Sequence, residues 1–181
     1  MAELHKFLFD GLPVRGMLVR LTDAWQTVLA RRAQNPQTGA YAPELVSTLG
    51  EMAAAAVLFQ SNIKFDGALV LQLHGDGPLK LAVVEVQPDL SFRATAKVIG
   101  PVQGLWGLSE LANPGGTGRC AITLDPTRRL PGQQPYQGLV PLHGDQGEPI
   151  ERVQDVLAHY MLQSEQLDTT LVLAANEQVA A

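Results

Sequence analysis

Leu69-Val70-Leu71-Gln72-Leu73-His74, the turn Gly75-Asp76-Gly77-Pro78 and the returning Leu79-Lys80-Leu81-Ala82-Val83-Val84-Glu85-Val86 decide how this chain folds. Leu69, Leu71 and Leu73 alternate with Val70, Gln72 and His74, the period of two that belongs to a strand with one buried face. Gln87-Pro88-Asp89 turns the chain again, and Phe92, Ala94, Ala96 and Val98 then alternate with Arg93, Thr95 and Lys97. Three strands on two short turns predict an antiparallel meander.

Before the meander, helical spacing takes over. Pro43 suits a first helical turn, with Glu44 favourable at its positive end. Leu45, Leu49, Met52, Ala56 and Phe59 then recur at steps of three and four, with Val46, Ala53 and Val57 in a row beside them. A helix apolar on most of its circumference belongs in the middle of a structure. Upstream, Trp25, Val28, Leu29 and Ala33 share one face of a shorter helix, with Asp23 and Gln26 spaced as a capping box. Residues 4–9 and 14–21 flank Asp10-Gly11-Leu12-Pro13 and predict a hairpin, with a short N-terminal helix as the competing reading.

Downstream, residues 105–111 read as a short helix, and residues 119–124 and 136–142 as strands separated by loops rich in Gly and Pro. Pro149 is expected to open a last helix with Ile150, Val153, Leu157 and Tyr160 inward, and residues 169–175 to form a final strand. Strand runs set apart from a few helices predict an α+β fold: largely antiparallel β-sheets with a central buried helix and flanking helices, as a single domain over residues 1–181.

Composition narrows the function. The chain of 181 residues is 46% hydrophobic but only 17% charged, below the roughly 25% of average soluble domains, which predicts a well-buried interior and an adhesive surface. Its formal charge of -5 is concentrated after residue 142, where Arg152 is the only Lys or Arg among seven acidic side chains. That acidic end repels phosphate backbones, so no nucleic-acid partner is expected. The opening Met1-Ala2-Glu3-Leu4-His5-Lys6 lacks the layout of a signal peptide, and the most apolar stretch, residues 52–59, is too short to span a membrane. The expectation is a cytoplasmic protein without membrane association.

Few residues offer chemistry. The turn at residues 75–80 has neither P-loop nor dinucleotide spacing and joins two strands, so it reads as a plain turn. Cys120 shares a strand face with Ile122 and Leu124 and reads as a buried structural thiol rather than a nucleophile. His5, His74, His143 and His159 have no metal-binding spacing; His74 with Asp76 and His143 with Asp145 could meet at a metal only if their turns came together. Glu148 and Glu151 are expected in the first turn of the last helix, where the dipole favours acids. No catalytic residue, metal ligand or client-binding residue is assigned, and an enzyme is not expected.

Other segments carry a resemblance. Leu4-His5-Lys6-Phe7-Leu8-Phe9, Val14-Arg15-Gly16, Ile63-Lys64-Phe65-Asp66-Gly67, Leu71-Gln72-Leu73-His74-Gly75-Asp76-Gly77-Pro78-Leu79, Arg93-Ala94-Thr95-Ala96-Lys97-Val98, Tyr136-Gln137-Gly138-Leu139-Val140 and Tyr160-Met161-Leu162-Gln163-Ser164-Glu165-Gln166-Leu167 follow in this order. Together they resemble the N-terminal core domain of a redox-regulated holdase chaperone family, heat shock protein 33. The resemblance implies an ATP-independent chaperone, usually a homodimer, that holds unfolding client proteins during oxidative or heat stress. It also implies a linker and a C-terminal domain whose four cysteines bind zinc when reduced. Those cysteines are expected beyond Ala181, and Cys120 matches none of them. Zinc and redox control therefore do not carry over to these residues. A strand beyond residues 169–175 is implied as well, so a bare sheet edge is expected there. The alternative function is a structural dimerisation core with little client affinity.

Overall fold

The structure is a computed structural model that describes residues 2–181; Met1, the first residue of the N-terminal stretch read above, lies outside them. Among the described residues, seven strands fall into two sheets. Strands β1 (Ala2–Leu8) and β2 (Arg15–Leu21) form an antiparallel hairpin, which settles that stretch against the helical reading. Strands β3 (Gly67–His74), β4 (Leu79–Val86), β5 (Phe92–Val98), β6 (Arg119–Pro126) and β7 (Tyr136–Pro141) form one sheet in the order β5-β4-β3-β6-β7. Every pairing in it is antiparallel.

The register carries each strand's alternation across the sheet. Ala96, Ala82, Leu73, Cys120 and Val140 form one inward row, and Ala94, Val84, Leu71, Ile122 and Gly138 the next. Against this face lies helix α2 (Pro43–Asn62), which contacts β2, β3, β4 and β5. Ala53, Ala54, Ala55 and Ala56 are wholly buried, because small side chains let the helix lie close to the pleated surface. With the strands set apart from the helices, the fold is α+β, with the central buried helix that the 3.6-residue period demands.

Several local expectations are corrected. Helix α1 (Asp23–Ala33) begins at Asp23, and the Gln26 amide donates to the Gln178 carbonyl at 3.0 Å, so Asp23 and Gln26 form no capping box; Trp25 is buried as the spacing requires, but Ala33 is exposed. Helix α3 is a single turn (Leu108–Leu111), shorter than the apolar run around it. Helix α4 (Val153–Glu165) begins four residues after Pro149, which bridges back to His143. Glu148 and Glu151 therefore precede the helix. Glu151 instead serves α3: its main-chain carbonyl accepts from Leu108 N–H and its carboxylate from Ser109 Oγ at 2.6 Å.

Residues 169–175 do not form a strand. Their polar backbone is satisfied locally instead: Leu173 N–H donates to Gln154 Oε1, and Ala174 exchanges two hydrogen bonds with Ala181. Ala180 in turn bonds to Leu21 at the end of the hairpin. Chain and hairpin are thus closed by two isolated bridges, and no bare strand edge arises at residues 169–175.

Candidate functional site: an apolar hairpin tip

The residues with potential chemistry are placed apart, in structural roles. Cys120 is buried in the inward sheet row, and burial pushes its thiol up to about 12, so no nucleophilic thiolate is available. Asp76 accepts from Gly115 N–H, Thr117 N–H and Thr117 Oγ1 at 2.7–3.0 Å. Desolvation works against the charge of Asp76, but these bonds and nearby Lys80 together hold the carboxyl below the usual carboxylate range. Its two flanking glycines are needed for close approach: a Cβ on Gly75 would collide with the Leu79 carbonyl, and one on Gly77 would stand 2.6 Å from the Leu111 carbonyl. The turn between β3 and β4 is therefore a clasp for the loop at residues 113–118.

His143 is engaged through Nδ1 with the Gly144 carbonyl at 2.9 Å, and Asp145 lies 3.5 Å from His159. His5 faces Glu3 at 3.8 Å on the hairpin surface, and His74 is exposed at the end of β3. Among the described residues, no group of three or more His, Cys, Asp or Glu side chains could hold a metal ion. A zinc site of the kind the resemblance implies does not fit this chain, whose single cysteine is buried. A small cavity of about 60 Å³ lies beside Glu51, Trp106 and Arg152. Burial pushes the Glu51 carboxyl up while Arg152 opposes it, but the space suits a few waters rather than a substrate.

What the surface does display is apolar. Six large hydrophobic side chains between residues 7 and 18 are exposed: Phe7, Leu8, Phe9, Leu12, Val14 and Leu18. Leu8 is 81% exposed and Leu12 61%, and the other four are about half exposed. Scattered single apolar residues on a surface are ordinary, but a contiguous group on one projecting element marks an interaction site.

The register of the hairpin holds Phe7 and Leu18 out. Leu4 and Val19 pair on the core side, where Val19 and Leu21 are buried, and Lys6 reaches from β1 to donate to the Ser61 carbonyl at 2.9 Å. The opposite face carries His5, Phe7 and Leu18. Phe7 lies over Gly16, its cross-strand partner, where any Cβ would strike the ring; it also meets Phe9 edge-on at 5.7 Å between centroids. Beyond the ladder, Phe9 N–H donates to the Val14 carbonyl and Leu12 N–H to the Phe9 carbonyl, with Gly11 in the left-handed conformation at φ 73°. The tip is thus a hydrogen-bonded loop whose apolar side chains face solvent. In sequence, the β-prone runs around the turn indicate the hairpin; which of its side chains stay exposed depends on what packs against it.

Comparisons with known proteins agree with this architecture. The family of the Hsp33 protein matches residues 2–181. The chain is 51% identical over 179 residues to the 33 kDa chaperonin of Chromobacterium violaceum, covering 99% of this chain and 55% of that protein. It is 42% identical over 180 residues to the 33 kDa chaperonin of Methylobacillus flagellatus, with the same two coverages. The chain therefore spans about half the length of the curated relatives it matches. The crystal structure of the 33 kDa chaperonin (heat shock protein 33 homolog) of Thermotoga maritima has a similar fold, with a TM-score of 0.60 at 18% identity, covering 91% of this chain and 55% of that one. Matched along nearly all its length, the chain belongs to the Hsp33 family.

Proposed function

We propose that residues 1–181 form the client-holding core of an ATP-independent chaperone, with the apolar tip of the β1–β2 hairpin as a contact for unfolding proteins. The observation that carries this reading is the exposed group Phe7, Leu8, Phe9, Leu12, Val14 and Leu18 on a member of a chaperonin-named family. An unfolding client presents apolar side chains to water, and each square ångström buried against the tip contributes roughly 25 cal/mol. The contact needs no nucleotide, since the hydrophobic term alone drives it. Action in the cytoplasm as a homodimer during oxidative or heat stress belongs to the same proposal. So does redox control of the full-length protein, which would reside outside these residues because Cys120 is the chain's single cysteine and is buried.

The test is light scattering from a thermally unfolding client mixed with this chain, under reducing and oxidising conditions and without ATP. Equal suppression of aggregation in both conditions is expected. No suppression at several-fold molar excess would reject a client site within these residues. The second reading, a dimerisation core with little client affinity, would then be favoured by the same apolar tip, and a sedimenting dimer without client binding would establish it.

A further inference from the structure

A second surface differs in kind from the hairpin tip. Between helix α1 and the edge strand β5 lies a groove of about 280 Å³, lined by Val28, Arg31, Arg32, Tyr41, Phe92 and Ala94 among others. Arg31 and Arg32 have no ion-pair partner among the described residues, whereas Arg93 on the rim is neutralised by Glu85. Arg32 stacks its guanidinium 4.4 Å from the centre of the Tyr41 ring, and its Nε is buried without a hydrogen-bond partner. Basic residues in the last turn of a helix are common on account of the dipole. A buried Nε left unsatisfied is not explained that way, since desolvating such a donor costs stability unless something accepts from it.

The strand beside these arginines is open. Ala96 N–H points away from β4, because it donates to the Tyr41 hydroxyl at 2.9 Å. In an antiparallel ladder residues alternate between inward-bonded and outward-facing pairs, so Ala94, two positions earlier, also turns its N–H and C=O outward. Neither has a partner among the described residues. An edge in this condition accepts an added strand.

We propose that this groove takes an extended acidic peptide segment of a client protein, paired to β5 through the backbone of Ala94, with an Asp or Glu carboxylate on Arg31 and Arg32. Charge complementarity selects the occupant: the unpaired cations line the groove, and the open N–H and C=O require a backbone rather than a free anion. Tyr41 on Ala96 blocks further pairing and so fixes how far the added strand can run. The inference rests on the holdase reading for its purpose, but not for its measurement.

A short fluorescent peptide of alternating glutamate and valine, read by anisotropy at low salt, tests it on the whole chain. Binding is expected, weakening by about tenfold in Arg31→Gln and in Arg32→Gln, and with a glutamine-for-glutamate peptide. Ala94→Pro removes an outward N–H without breaking the ladder to β4, so it should abolish binding while leaving the fold intact. Equal affinity for the neutral peptide, or full binding by Ala94→Pro, would overturn the proposal. Displacement of the peptide by millimolar inorganic phosphate together with an indifferent Ala94→Pro would mark a free-anion site instead, also overturning it. No peptide binding by the unaltered chain, with aggregation suppression retained, would sink this inference alone; peptide binding without aggregation suppression would sink the holdase reading alone.

Discussion

The indole Nε1 of Trp25 donates to the carbonyl of Asn176 at 2.7 Å, joining the first helix to the end of the chain across 151 residues. Trp25 is wholly buried, and its ring also stands against Gly50 of α2, where an added Cβ would lie 3.0 Å away. The same C-terminal segment returns to the hairpin through the paired backbone bonds of Leu21 and Ala180. Hairpin, α1, α2 and the last residues are therefore tied together by direct contacts.

Trp25→Ala is expected to cost about 3–5 kcal/mol, as for other large-to-small changes at wholly buried aromatics. Trp25→Phe keeps most of the volume but strands the Asn176 carbonyl, for about 1–2 kcal/mol. Urea titrations of both variants check the order. Amide exchange should additionally show faster opening at residues 173–180 in Trp25→Phe, since their tether is lost.

Function at the hairpin separates from stability. Leu8→Ser combined with Leu12→Ser should reduce suppression of client aggregation several-fold, because both side chains already face solvent and their loss removes contact area only. Surface changes of this kind shift stability within about 0.5 kcal/mol. Thermal melting with light scattering on the same samples decides the matter: a double variant with full holding activity would place client contact elsewhere.

Gly16→Val probes the seat of Phe7. A Cβ there must displace the ring, which is half exposed and free to swing outward. The expected result is a folded chain with an altered aromatic contact between Phe7 and Phe9, read as changed ring chemical shifts by NMR.

Asp76 gives the fold an acid limb. Its carboxyl is lowered in the folded chain, so the stabilisation is complete above the unfolded value near ~4 and is lost as pH falls through the folded value. Asp76→Asn should cost about 1 kcal/mol at neutral pH, discounted because the carboxylate is partly solvated. The variant should also lose less stability than the parent chain on going from pH 5 to acid. Parallel acid-dependent melts of the two chains measure this; equal slopes would show that the clasp draws nothing from the charge.

Cys120 should resist alkylation by iodoacetamide at pH 8 while the chain is folded and react at once in urea. Its thiol is pushed up to about 12 by burial alone, and it has no access to reagent. Peptide mass mapping checks it. Rapid labelling in the folded state would mean that the β3–β6 seam opens far more readily than its pairing implies.

Periodicity alone determined a good deal of this protein. The alternation at residues 69–73 and 92–98, the stepped apolar rows of α2 and the turn residues between them place the meander and the central helix, since a strand's period of two and a helix's of 3.6 are set by local backbone geometry. The inert reading of Cys120 was legible for the same reason: its face of the strand follows from its neighbours. What chain-distant partners decide was not legible. Residues 169–175 have the composition of a strand, but Gln154 and Ala181 satisfy backbone groups of that stretch without a ladder. Glu151 looks like an acid in its own helix's first turn, yet it holds the N-terminus of α3. The hairpin is expected at residues 4–9 and 14–21, but the exposure of Phe7, Leu8 and Leu12 follows only from the packing of the whole chain, which leaves that end of the hairpin uncovered.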